Sequence, residues 1–123
     1  MIWFMVGLRG AAGSVLRYGA GRLAVSYWGP STVLDTLFVN LTGSFALGLF
    51  MALVLEIMAV PTEYRARVAV GLLGGYTTFS TMSFEAVQLA ESGELFRAGA
   101  SVVGNVVLGL LAAYLGILAA RLY

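Results

Sequence analysis

Two asparagines, Asn40 and Asn105, lie deep in apolar stretches of this sequence, and they are the side chains best placed to do chemistry there. A carboxamide carries two N–H donors and an acceptor oxygen. Taking it out of water is costly unless it is hydrogen-bonded or lines a wet path. Asn40 belongs to the series Thr36, Asn40, Ser44, Gly48, and Asn105 to the series Ser101, Asn105, Gly109, both spaced by four. On a helix that spacing draws one slowly drifting face. Small-residue faces commonly bring membrane helices together, and packing is the simpler reading for Thr36, Ser44 and Gly48. For Asn40 a polar path is the better reading, and a second asparagine at depth makes a shared path more credible.

A third candidate is the stretch Gly74-Gly75-Tyr76-Thr77-Thr78-Phe79-Ser80-Thr81-Met82-Ser83-Phe84-Glu85. Glycine weakens a helix by about 1 kcal/mol relative to alanine, and threonine is a poorer helix former than leucine. A break here would free backbone carbonyls, which membranes tolerate only inside protein or beside water and which can coordinate small cations. An unbroken helix packed through its glycines is the alternative. Arg17 sits between Gly13 and Gly21 at the same interval of four. It either approaches a neighbouring helix closely or snorkels to an interface.

The elements that must position these residues are set by composition. Of 123 residues, 60% are hydrophobic and 11% charged, with a mean hydropathy of +0.93. A soluble domain of this size needs more polar surface. Residues 98–120 and 36–55 carry no charge, and each run is long enough to cross a bilayer of roughly 30 Å as a helix. Residues 68–84 form a shorter uncharged run, and residues 2–25 are apolar but interrupted by Arg9, Arg17 and Arg22. Four spans follow, with an uncleaved first helix, since a secretory signal keeps its positive charge ahead of its apolar stretch. Expected loops are 26–34, with Gly29 and Pro30, 56–67, with Pro61, and 91–97, with Gly93. They leave no room for an extramembrane domain, so residues 1–123 form a single domain.

Charge and residue usage exclude several functions. With no histidine or cysteine, zinc sites, disulfides and the commonest catalytic bases are absent, and an enzyme is not expected. A net charge of +1 argues against nucleic acid as a partner. With the N-terminus inside, Arg65, Arg67 and Arg121 would oppose Arg22 and Arg97, a feeble positive-inside bias. Such a bias is equally compatible with insertion in both orientations and with one orientation fixed by other features.

Taken together, the residues resemble the Fluc (CrcB-type) fluoride channel family over nearly the whole length. The resemblance rests on residues 10–13 through Arg17-Tyr18, on Val39-Asn40 with Gly43 and Phe45, and above all on the string from Gly74 to Thr81. It implies an all-α membrane protein of four transmembrane helices, the third broken mid-membrane, assembled as an antiparallel dual-topology dimer. It implies passive fluoride export across the plasma or inner membrane through two pores, with a structural sodium ion on the dimer axis. By position, the carbonyls of Gly74 and Thr77 would bind that Na+, and two copies would complete its shell. Asn40 and Phe79 match pore residues, the phenylalanine offering its positive ring edge to an anion. Arg17 matches an arginine near the pore mouth; Ser80, Thr81, Ser83 and Asn105 would add donors. Three positions depart from the family pattern. Met82 stands where a second phenylalanine is usual, Ser101 where the fourth helix has a tyrosine, and Asp35 where glycine is common. These departures leave a heterodimer open beside the homodimer. A small multidrug-type exporter is a rival, but its first helix needs an embedded acid and here holds only arginines. A non-transporting packing subunit would not require the threonine-rich string.

Overall fold

In lipid every backbone polar group must be satisfied within the protein, so apolar runs of this length fold as helices. The computed structural model describes residues 1–29, 32–58 and 60–122, apart from the Thr32 side chain, and places none of them in a strand. Helix α1 spans Ile2–Trp28. Helix α2 spans Thr32–Ala52 and runs on into a π-helical turn, Leu53–Ile57. The third segment is built from pieces: α3 (Thr62–Ala66), a π-helical stretch (Arg67–Leu73), α4 (Gly74–Tyr76) and α5 (Phe79–Glu91). Helix α6 spans Leu95–Arg121.

Two helices, Val33–Ile57 and Leu95–Arg121, are long and apolar enough to cross a membrane. Only 28% and 17% of their most apolar windows are buried within the chain. A core helix of a soluble protein hides its apolar surface, so these helices require lipid or another subunit around them. The 27 residues of α1 reach about 40 Å, but its three arginines keep it less apolar.

The connections are shorter than the sequence suggests, because polar residues at the ends remain helical. The expected 26–34 loop is helical to Trp28 and again from Thr32; its Pro30 lies outside the described residues. In the second connection, Pro61 sits at the start of α3 and its carbonyl accepts from the Tyr64 amide at 3.1 Å. The third is a tight turn in which Gly93 takes φ of 83°, a left-handed conformation that costs glycine little.

The four-residue series explain the packing. Asn40 bonds Asn105, and Glu56 bonds Arg121, each partner 65 positions further along. The same separation relates Ser44 to Gly109 and Gly48 to Ala113, which face each other. Helices α2 and α6 therefore run parallel in one constant register, their small residues interleaved. A side chain on Gly48 would strike the Ala113 carbonyl, and one on Gly116 the Phe45 carbonyl. Helix α1 docks likewise on the third segment, with Gly13 against the Leu72 carbonyl and Gly75 against that of Gly10. Close backbone approach through small residues is the main source of helix association where hydrophobicity supplies no contrast.

A candidate ion pathway around Asn40 and Thr78

Between α4 and α5 the backbone of Thr77 (φ −85°, ψ 158°) and Thr78 (φ −150°, ψ 119°) is extended. Two extended residues leave amide and carbonyl groups without helical partners. Asn40 supplies the substitute. Its Oδ1 accepts from the Thr78 amide at 2.9 Å, and its Nδ2 donates to the Thr78 carbonyl at 3.1 Å. The carboxamide thus pairs with Thr78 as a neighbouring peptide would in a sheet. The second Nδ2 hydrogen goes to Asn105 Oδ1 at 2.9 Å, and Asn105 Nδ2 donates to the Ser101 carbonyl at 2.8 Å. Both N–H bonds of Asn40 are therefore engaged within the chain. Asn40 thereby ties the Thr77–Thr78 interruption to α2 and α6, and its N–H groups could meet an ion only by releasing one of these partners.

The Thr78 hydroxyl caps α5 by accepting from the Thr81 amide at 3.3 Å, and it also bonds Thr81 Oγ1 at 3.0 Å. Ser80 Oγ lies 3.3 Å from it, so three hydroxyls cluster at the start of α5. Ser83 Oγ donates back to the Phe79 carbonyl at 3.0 Å, which spends its one hydrogen locally.

Two cavities flank the clamp, and Thr78 lines both. One, of about 240 Å³, brings together Asn40, Phe79, Met82 and Asn105. The other, of about 360 Å³, takes Arg17 and Thr81. Ser80 and Ser83 line neither of these two. The side chains at 79 and 82 differ sharply: Phe79 is 76% exposed, whereas Met82 is 4% exposed. The aromatic ring is thus turned mostly away from its own chain, while the thioether is packed within it.

The carbonyls of Gly74 and Thr77 can be tested against a cation. In a continuous helix they would accept from the amides of Thr78 and Thr81. Those amides donate instead to Asn40 Oδ1 and Thr78 Oγ1. Two neutral oxygens released from the helical ladder suit a hard monovalent cation better than a transition metal. Among the described residues no group of three His, Cys, Asp or Glu side chains offers a competing metal site.

Several features were marked in the sequence without their place in the site, or not marked at all. Thr78 gave no separate signal, because only the tertiary fold brings it to Asn40. Arg22 and Asp35 join Arg17 in the larger cavity. Glu85 is 6% exposed, and neither carboxylate oxygen has a hydrogen-bond partner among the described residues. The bidentate Glu56–Arg121 pair, with contacts of 2.8 and 3.0 Å, ties the far ends of α2 and α6.

A bundle of apolar helices little buried within the chain, with a hydrogen-bonded polar interruption between two cavities, has the architecture of a small membrane protein. Residues 4–117 match the family described as CrcB-like protein, Camphor Resistance (CrcB), and the chain belongs to that family. It is 46% identical over 114 residues to a protein of Thermus thermophilus named fluoride-specific ion channel FluC, covering 93% of this chain and 90% of that one. Proteins of the same name from Aquifex aeolicus and Rhizobium meliloti are each 42% identical over 113 residues, with 92% of this chain and 91% and 90% of theirs aligned.

Proposed function

We propose that this chain is the subunit of a fluoride-selective channel that lets fluoride leave the cell passively, lowering its internal concentration. The observation that carries the reading is the Asn40 clamp on Thr78, set between two cavities in a chain whose full-length relatives are named fluoride-specific channels. Fluoride is small and strongly hydrated, so a path for it must replace lost water with donors and positive edges at close range. Along the two cavities the Thr81 hydroxyl and the Phe79 ring edge face the path, with Arg17 attracting anions at one mouth; Ser80 beside them, and Ser83 and the Asn40–Asn105 pair once they release their present partners, would add donors. Met82 fills the remaining wall without contributing an edge.

The working unit is a dimer of oppositely inserted copies in the plasma or inner membrane. The outward-turned Phe79 and Phe84, 76% and 63% exposed, support a second copy against α5, which would complete each pore. The carbonyls of Gly74 and Thr77 from two copies would hold a sodium ion; its role there is to join the broken segments of the two subunits. The deciding experiment is fluoride efflux from liposomes containing only this purified chain, beside chloride-loaded controls. Rapid efflux of fluoride with chloride retained is the expected result. No fluoride efflux from folded dimers would overturn the reading.

A further inference from the structure

We infer that Asp35 is a counter-charge that holds down the anion concentration in the cavity at Arg17, and so sets how fast anions reach the Asn40–Thr78 clamp. The inference rests on the channel reading above and adds a rate-determining residue to it. The cavity, about 360 Å³, is lined by Arg17 and Arg22 from α1 and by Asp35 from the first turn of α2. Among the described residues Asp35 is the one acid on its wall. Its carboxylate faces α1 directly: a Cβ built on Gly21 would lie 3.5 Å from Asp35 Oδ2. Gly21 follows Arg17 by one helical turn and precedes Arg22, so the carboxylate lies along the stretch that carries both arginines.

Yet the three charges do not pair. The ion pairs among the described residues are Arg97–Glu94 and Arg121–Glu56. Asp35 accepts a long hydrogen bond, 3.3 Å, from its neighbour Thr36. A contact pair would cancel locally. Separated charges around one cleft with low-dielectric walls instead add into a field that acts on any ion inside it. Two guanidinium groups against one carboxylate leave the cavity modestly positive; without the carboxylate it would attract anions more strongly. The alternative role for an acid in a first helical turn is to stabilise the positive end of the helix, which predicts a stability change and no change in the field.

The absence of cysteine allows a direct test. Val25, which lines the cavity, is changed to cysteine in the full chain. Its rates of modification by anionic and cationic methanethiosulfonate reagents are compared with and without Asp35→Asn. The anionic-to-cationic rate ratio is expected to rise on the order of tenfold in the Asp35→Asn background, since one unit charge is removed nearby. The rise should shrink at about 1 M salt, and Asp35→Glu should restore the original ratio. In liposomes, Asp35→Asn with Val25 intact should release fluoride about two- to fivefold faster at low ionic strength. A rate ratio that stays the same, with or without a drop in thermal stability, overturns the inference and leaves the helix-end role. A shifted ratio with unaltered fluoride efflux overturns the part that concerns anion flow. If the unmodified chain conducts no fluoride at all, it is the channel reading that fails, and the reagent ratio still decides whether Asp35 sets the charge of the cavity.

Discussion

Asn40 combines a structural clamp with a position in the proposed path. Its three hydrogen bonds reach the amide and carbonyl of Thr78 and the carboxamide of Asn105. Replacing it with aspartate leaves an acceptor where Thr78 and Asn105 need a donor, and adds negative charge beside an anion path. Asn40→Asp is therefore expected to lower fluoride flux by at least about a hundredfold, because charge of the wrong sign is strongly disfavoured in a constriction. Asn40→Ala removes both donated bonds and also the one accepted from the Thr78 amide, without adding charge. It should cost about 1–3 kcal/mol of stability, read as a lower midpoint of thermal unfolding in detergent. Equal flux losses in the two variants would assign Asn40 to the wall alone, whereas a much larger loss for aspartate points to charge in the path. Normal flux in Asn40→Asp would remove Asn40 from the pathway.

At the scale of elements, the parallel pair α2 and α6 shares the most extensive helix contact in the described residues. It depends on glycine where the backbones come closest: Gly48 beneath Ala113 and Gly116 beneath Phe45. Gly48→Leu has no space to enter and is expected to destabilise the fold by about 1–3 kcal/mol or more through overpacking. The measurement is the yield of monodisperse protein after extraction, which should fall well below that of the unaltered chain. Gly99, where an added Cβ would meet nothing within 4 Å, should accept alanine with no loss of yield. The four-residue series made this face legible before the fold was known, since small residues at a helical interval have few other uses in an apolar run. The partner of each member was not legible, because periodicity defines a face and says nothing about which helix covers it. The π-helical stretches Leu53–Ile57 and Arg67–Leu73 left no signature in the sequence.

For the molecule as a whole, the proposed assembly of two copies around a sodium ion is open to direct test. If Gly74 and Thr77 carbonyls hold Na+, replacing sodium by a bulky organic cation during purification should weaken the dimer. The fraction of monomer on size exclusion is expected to rise at least about twofold as the linked stabilisation is lost. A dimer indifferent to sodium would argue against that site. Composition alone determined that the chain is helical and belongs in lipid, because 60% hydrophobic residues in long uncharged runs admit few other solutions. Spacing also marked Asn40 and the Gly74–Thr81 string as unusual, since polar and poorly helical residues are costly at depth. What only the tertiary structure decided is how those costs are met. Asn40 comes from one helix, Thr78 from the interruption of another and Asn105 from a third, 65 residues beyond the first. Hydrogen bonds across such separations depend on relative helix register. That register is set by glycine-mediated backbone contacts spread over several helices, and no local pattern of residues encodes it.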